Sequence, residues 1–313
     1  MRNAFIESLF QEAKKDSSIV LITGDLGYGV IDKFAQELPN QFINAGITEQ
    51  SMMGIAAGMA STGKRVFVYS IGNFPTMRCL EQIRNDVCFM NNPVVVVAVG
   101  AGFSYGPQGY THHALEDIAI MRALPNMEVV SPADEIETKF LTRMLVNSRN
   151  PSYLRLGKES FDEYKKGDTS IERGRVRELV SGKDGTILLT GGVRGIAFEA
   201  RNLLFSRGID VSVCSVPFIT VIDMDYLKHA AQKGPIVTIE EHSVRGGFGS
   251  AILEALTEMN EFPRIKMVGI SQSDLSIIGD QNFLREVNGL NVDAVVLSYL
   301  ALLEAKNTTV QNL

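Results

Sequence analysis

Glu49 stands in Asn44-Ala45-Gly46-Ile47-Thr48-Glu49-Gln50, directly ahead of the small apolar run Ser51-Met52-Met53-Gly54-Ile55-Ala56-Ala57-Gly58-Met59-Ala60. A carboxyl at the mouth of such a helix has little water around it and is suited to exchanging a proton rather than resting as a solvated charge. It also suits plainer work, as a first-turn acid that complements the helix dipole behind Thr48 as N-cap. Gly54, Ala57 and Gly58 fall at i, i+3 and i+4, a stripe against which another backbone can lie closely.

Three glycine-rich segments could carry further chemistry. Gly24-Asp25-Leu26-Gly27-Tyr28-Gly29 follows a strand, at the edge where doubly wound sheets bind ligands, but it matches neither a dinucleotide fingerprint nor a P-loop. Gly100 to Asp117 includes Gln108-Gly109-Tyr110-Thr111-His112-His113, holding half of the four histidines in the chain. Adjacent histidines point different ways, so one can face a site while the other caps or is solvated; no third ligand stands at metal-binding spacing. Glu240-Glu241-His242-Ser243-Val244-Arg245-Gly246-Gly247-Phe248-Gly249-Ser250 ends a strand and opens a helix. A phosphate could sit at that helix N-terminus, or the glycines could serve a tight corner at a domain or subunit contact.

These segments need a scaffold, and the sequence supplies one. Apolar β-rich runs at 18–23, 66–70, 94–99, 128–130 and 153–156 alternate with helical patterns, one of them starting at Ser131-Pro132-Ala133-Asp134 with Ser as N-cap and Pro at N1. Continuous apolar strands between helices predict a parallel sheet covered on both faces. From Leu156 to about Gly185 charged residues and glycine dominate, after which a second alternating block begins with runs at 186–190, 211–216 and 236–240. The expected fold is therefore α/β throughout: a doubly wound parallel-sheet domain over 1–157, a linker over 158–184 and a smaller α/β domain over 185–313.

Composition narrows the function. At 313 residues, 45% hydrophobic and 21% charged, the chain can bury two real cores. Its net charge of −6 gives no electrostatic case for nucleic acid. Cys79, Cys88 and Cys214 have neither disulfide-scaffold nor zinc spacing, no run reaches membrane-spanning length, and the first ten residues read as an amphipathic helix; the expectation is a cytoplasmic protein.

Taken in order, these motifs resemble the C-terminal half of transketolases, with 1-deoxyxylulose-5-phosphate synthases and 2-oxoacid dehydrogenase beta subunits as relatives on the same plan. Gly46-Ile47-Thr48-Glu49-Gln50 is similar to the motif of the family's catalytic glutamate. Gly109-Tyr110-Thr111-His112 is similar to its Gly-x-Thr-His loop, and Ser131-Pro132-Ala133-Asp134 to its following helix start. The resemblance covers essentially the whole chain, as a pyrimidine-binding domain followed by a transketolase-type C-terminal domain.

The resemblance implies thiamine diphosphate, with Glu49 bonded to the far pyrimidine nitrogen and thereby favouring the imino tautomer that acts as the base. It places Leu26 under the bent cofactor, Asp25 near the thiazolium, and Phe74 and Arg78 at the pyrimidine ring. His112 would act at the carbonyl under attack, and Gln108 and Lys158 would meet substrate. The family's diphosphate and magnesium motif belongs to an N-terminal domain that does not match this chain, so the resemblance implies a separate partner subunit that holds Mg2+, within a heterotetramer built on homodimerisation. Gln108 stands where transketolases have an aspartate, Gly100 where they have a histidine, Ala101 where the synthases have an arginine, and Lys158 where an arginine meets substrate phosphate. Transfer of a two-carbon ketol unit from a ketose to an aldose follows as the expected activity, with poorer use of ordinary pentose phosphates. A 2-oxoacid dehydrogenase beta subunit, a deoxyxylulose-phosphate-synthase-like enzyme and a non-catalytic assembly subunit are the alternatives.

Overall fold

The computed structural model describes residues 1–158, 171–271 and 276–310. The first domain is built on six parallel strands, β1 (Ile19–Thr23), β2 (Phe42–Asn44), β3 (Arg65–Ile71), β4 (Val94–Val99), β5 (Glu128–Val130) and β6 (Ser152–Leu156). Their order is β2-β1-β3-β4-β6-β5. All six residues of β4 are buried, as a β-branched run must be when helices cover both faces of its sheet. On one face pack α1 (Arg2–Ala13), α2 (Asp32–Glu37) and a later helix; on the other lies α3 (Glu49–Ser61) with a short α4 (Leu80–Gln82) that runs into a π-helix at Ile83–Phe89. α5 (Asp117–Arg122) and α6 (Glu135–Asn147) complete the layers, α6 being that later helix and packing against α1.

The second sheet holds β7 (Arg177–Val180), β8 (Thr186–Leu189), β9 (Ser212–Ser215), β10 (Ile236–Ser243) and β11 (Ile265–Ile270), ordered β11-β10-β8-β9-β7. Helices α7 (Arg194–Ser206), α8 (Met224–Lys233), α9 (Phe248–Glu258), α10 (Gln281–Val287) and α11 (Val292–Val310) surround it. Of the expected linker, residues 159–170 lie outside the described residues. Residues 171–184 are not linker in structure: they include β7, an antiparallel edge strand on β9. Arg177-Glu178-Leu179-Val180 is only partly buried, and an edge strand with one wet face has no apolar run to announce it.

Two other sequence expectations shift. The N-cap of α6 is Asp134, not Ser131: Asp134 Oδ1 accepts from Glu137 N at 2.9 Å and Glu137 Oε2 accepts from Ala133 N at 2.7 Å, a reciprocal cap. The stretch Gln281–Glu304 is long and apolar enough to cross a membrane by length and composition alone. It is broken between α10 and α11, where Gly289 has φ +72°, and one face of α11 buries Val295, Val296 and Tyr299 in the second core.

The two domains share an apolar seam. Ile118, Met121 and Val129 of the first domain form one cluster with Val216, Ile219 and Phe248 of the second. Backbone bonds from Ser131 N to Pro217 O and from Ile219 N to Val129 O close the seam beside β5.

Candidate functional site

The carboxyl ends of β1 to β4 carry the site. β1 and β2 pair so that Thr23 lies against Asn44, and Asn44 then ties the two following loops together. Its Oδ1 accepts from the backbone N–H of both Asp25 and Gly46, each at 3.0 Å, while its Nδ2 donates to Asp25 Oδ1 at 3.0 Å. Asp25, at φ +56°, also accepts from the Tyr28 hydroxyl at 2.6 Å. That bond, then the one from Asn44, holds its carboxyl below the ordinary value.

Glu49 opens α3 and is 3% exposed, so the sequence motif does bury its carboxyl. Thr48 is the N-cap residue by position, but its hydroxyl donates backwards to Ala45 O at 2.7 Å instead of capping. Glu49 Oε2 accepts from Arg78 Nη1 at 2.7 Å; Oε1 accepts no hydrogen bond from the described residues. The Arg78 guanidinium lies 4.6 Å from the centroid of the Phe74 ring, within cation–π range. The other neighbour of Phe74 is His112, edge-on with 5.2 Å between ring centroids. Four residues separated by up to 63 positions in sequence thus form one contiguous string, Glu49, Arg78, Phe74 and His112.

The string continues. The Tyr105 ring is 6.3 Å from His112, and Lys158 Nζ sits 3.4 Å from the centroid of Tyr105 while donating to Ser104 O at 3.1 Å. Gly100 accounts for the position of Tyr105. A Cβ on residue 100 would lie 2.2 Å from the tyrosine ring, and Gly100 has φ +93°. The aromatic ring therefore occupies the space into which a histidine at position 100 would project. Gln108 is exposed in the short turn after Tyr105. Leu26 packs against the core on the α1 side, and its carbonyl accepts from Thr23 Oγ1. Asp25 and Leu26 join the string only through Gly24, whose added Cβ would meet Glu49 Cγ at 3.8 Å.

The two histidines divide as their adjacency requires. His112 is half-buried, and Thr111 Oγ1 lies 3.0 Å from its Nδ1, which leaves Nε2 for chemistry. His113 is neither capping nor solvated. It is 3% exposed, packs edge-on to Phe103 at 5.1 Å and sets Nε2 3.2 Å from Gly106 O. We therefore expect His112→Ala to lower kcat by about 100-fold, within the usual range for a proton-transfer group, at unchanged thermal stability. His113→Ala is expected to lower stability by about 2–3 kcal/mol with the smaller effect on kcat, because it leaves a cavity beside Phe103 and removes a buried hydrogen bond. Thermal melts and steady-state kinetics on both variants check this. A larger kcat loss in His113→Ala would mean the loop register is off by one.

The glycine-rich corner after β10 resolves against a phosphate site. Glu240 Oε2 accepts from Phe248 N at 2.6 Å and Oε1 from Gly249 N at 2.8 Å, so the chain's own carboxylate fills the N-terminus of α9. Burial pushes Glu240 up to about 7 against the pull of those two N–H groups. Cys79, next to Arg78, is no nucleophile: burial, then Glu49, pushes its thiol up to about 12.

Sequence reasoning missed Asn73 and the placement of Tyr105. Asn73 Nδ2 donates to His113 O at 2.6 Å and Thr111 O at 3.3 Å, bracketing His112 from both sides. Its position directly before Phe74 was the available signal. Arg155 is visible in the sequence as a charge inside the strand at 153–156 and as an alternative cation for a substrate phosphate; it is 2% exposed and bound to Asp117, Ala114 O and Glu241 O. Fully committed inside the protein, it cannot supply a cation for a substrate phosphate.

A parallel α/β domain with a buried carboxyl, an arginine-backed aromatic and a histidine loop on one edge, joined to a second α/β domain, defines a transferase fold of the transketolase type. The chain belongs to the transketolase family: residues 1–162 match its pyrimidine binding domain and residues 174–295 its C-terminal domain. It is 37% identical over 277 residues to a subunit of the apulose-4-phosphate transketolase of Phocaeicola vulgatus, covering 88% of each chain. It is 36% identical over 274 residues to a putative transketolase C-terminal section of Methanocaldococcus jannaschii, covering 87% of this chain and 86% of that protein. Among solved structures, a split gene transketolase, in an inactive beta4 tetramer, superposes with a TM-score of 0.86 at 34% identity over 97% of both chains. The chain is thus a transketolase-like, beta-type subunit.

Proposed function

We propose that this chain is the pyrimidine-side half of a two-chain, thiamine-diphosphate-dependent enzyme that moves a two-carbon ketol unit from a ketose to an aldose. The observation that carries the reading is the contiguous string from buried Glu49 through Arg78 and Phe74 to His112. That donor set fits an aminopyrimidine: a carboxyl for a ring nitrogen, an aromatic face and a guanidinium at its edge. Glu49, Phe74 and Arg78 would hold the ring, with Asp25 and Leu26 on the far side of Gly24. Bound there, thiamine diphosphate would supply the nucleophilic carbon that two-carbon transfer needs. Glu49 Oε1 would face the ring nitrogen and exchange a proton with it, and His112 Nε2 would move one at the substrate oxygen. Thr111 and Asn73 orient the histidine.

Among the described residues no group of three or more His, Cys, Asp or Glu gathers as a metal site. We assign Mg2+ and the diphosphate to the partner subunit. The face that would meet it is small and apolar: side chains added at Gly54 and Gly58 would point into open space, and Ile55 of α3, Phe89 of the π-helix packed on it and Met90 just after that π-helix are exposed. The same face suits homodimerisation within a heterotetramer. A cytoplasmic location goes with the three free, buried cysteines.

On the substrate side, the charge pattern favours a sugar other than the ordinary pentose phosphates. Lys158 is drawn to Tyr105 and Ser104 and Arg155 is committed; the Phocaeicola vulgatus relative, named for apulose 4-phosphate, supports an unusual sugar but not an unphosphorylated one. Reconstitution tests the whole reading. Calorimetry is expected to show weak thiamine diphosphate binding by this chain alone and tight, magnesium-dependent binding once the partner is added. Tight binding by the isolated chain would overturn the two-chain assignment. Efficient turnover of xylulose 5-phosphate with ribose 5-phosphate by the pair would overturn the substrate assignment alone.

A further inference from the structure

The loop that carries His112 belongs to the first domain, yet its base is also held by the second. Its base is closed by an antiparallel bridge between Gly102 and Ala114, and each side of that base is tied across the domain seam. On the incoming side, Glu241 of β10 accepts from Phe103 N at 3.0 Å through Oε1. On the outgoing side, Arg155 Nη2 donates to Ala114 O at 2.8 Å and to Glu241 O at 3.0 Å. One residue of the second domain therefore meets the incoming arm directly through its side chain, and the outgoing arm only through Arg155, which its carbonyl accepts from.

Glu241 is itself held firmly. It is 3% exposed, Arg285 Nη2 donates to Oε2 at 2.5 Å, and Gln281 Nε2 lies 3.1 and 3.0 Å from its two oxygens. Gln281 also reaches Ser104 Oγ at 3.3 Å, one residue further into the loop. The fit of backbone to this cluster is close. A Cβ at Gly102 (φ +60°) would lie 2.4 Å from Glu241 Cδ, and one at Gly106 would lie 2.3 Å from Gly279 O. The loop lies in a seat formed by β10 and the start of α10, with glycine where the seat is tightest. From that seat His112 stands out, half-buried, against Phe74.

We propose that Glu241 is a positioning residue: with Arg285 and Gln281 it makes the second domain the seat of the loop base, which sets the height over the sheet edge at which Asn73 and Thr111 orient His112. The C-terminal domain then contributes to transfer without touching substrate, by fixing a loop of its neighbour. A carboxylate suits the task because it accepts from the loop N–H and from two side-chain donors at once, and charge-assisted bonds to Arg285 keep it from rotating away. The proposal rests on the reading that His112 acts at the reacting carbonyl, and the experiment separates the two.

Glu241→Ala, Glu241→Gln, His112→Ala and the double variant Glu241→Ala/His112→Ala are assayed with the partner subunit and saturating cofactor. Displacing a catalytic group by about an ångström costs on the order of 100-fold in rate, so Glu241→Ala is expected to lower kcat by about 10- to 100-fold at unchanged cofactor affinity. Glu241→Gln, which keeps a carbonyl acceptor for Phe103 N and is the less prone to misfold, is expected to recover most of that loss. Two residues acting through one group are not additive, so the double variant is expected to turn over no more slowly than His112→Ala. Losses that multiply would overturn the proposal. Hydrogen exchange gives a readout independent of turnover: amides across 103–113 should exchange at least about tenfold faster in Glu241→Ala, equivalent to the loss of a bond of ordinary net strength. Unchanged exchange there would overturn the seat, whereas wild-type kcat in His112→Ala would overturn only the reading of His112.

Discussion

Glu49→Gln is expected to leave the fold intact and to lower turnover by about three orders of magnitude or more, toward the upper range for loss of a positioned proton donor. The side chains are nearly isosteric, and the amide can still accept from Arg78 Nη1 through its oxygen. What it cannot do is give up a proton to a ring nitrogen. Steady-state kinetics of the reconstituted pair at saturating cofactor would measure the loss, and circular dichroism of the variant would show that folding is kept. Near-normal turnover would mean that Glu49 only begins a helix. The neighbouring charge sharpens the test. Arg78 is 45% exposed and Glu49 only 3%, so the pair is anchored on the glutamate side and its arginine can follow a bound ring.

Asp117→Ala should have the largest effect on stability. Asp117 is fully buried and accepts from Arg155 Nε at 2.6 Å, Arg155 Nη2 at 3.2 Å and the Tyr153 hydroxyl at 2.5 Å. Breaking a buried pair from one side strands the other charge, which costs about 3–5 kcal/mol. His242 adds to the dependence. Its Nδ1 lies 2.7 Å from Ser243 O, so the proton sits there and Nε2 accepts from Ile118 N, capping α5 from the other domain. Burial, against the pull of Asp117, lowers His242 to about 4, so the ring is neutral in this role near neutral pH and gains charge only in the acid range where Asp117 titrates. Urea unfolding would measure the Asp117→Ala deficit. The double variant Asp117→Leu/Arg155→Met should recover most of it, since a buried ion pair exchanged for apolar groups is commonly close to neutral. A deficit under 1 kcal/mol for Asp117→Ala would contradict the assignment.

The pH dependence of this pair has a definite sign. Burial pushes the Asp117 carboxyl up, but Arg155, His242 and the hydrogen bonds from Arg155 and Tyr153 outweigh it and hold the group below its ordinary 3.8. A carboxyl depressed in the folded state adds stability above its unfolded value and loses it as pH falls through the folded one. The pair therefore holds in full above about pH 4 and fails only in stronger acid.

Much of this protein was legible in its residues. The buried runs at Ile19–Thr23, Val66–Ser70 and Val94–Val99 gave the parallel sheet, because a strand covered on both faces has to be apolar along its whole length. Glu49 and the His112 loop were visible for a related reason: small or glycine-rich segments beside a single polar group mark places where backbone must come close to something. Strands with a wet face were harder. β7 and β11 are partly exposed, and β2 is three residues long, so none shows a continuous apolar run.

Pairing was decided by tertiary structure alone. Glu49 and Arg78 are 29 residues apart, Phe103 and Glu241 138 apart, and His242 reaches Ile118 across 124. No local propensity or periodicity encodes such contacts, because each depends on which loops the sheet order brings to one edge and on how two domains dock. The sequence by itself determined the residue types that could do the chemistry and the strands and helices that carry them. The fold decided that His113 turns inward to Phe103 while His112 faces Phe74, that Tyr105 fills the space left by Gly100, and that Arg155 is spent on Asp117. Those outcomes follow from steric exclusion and from the cost of leaving a buried charge unpaired, which act only once the chain is packed.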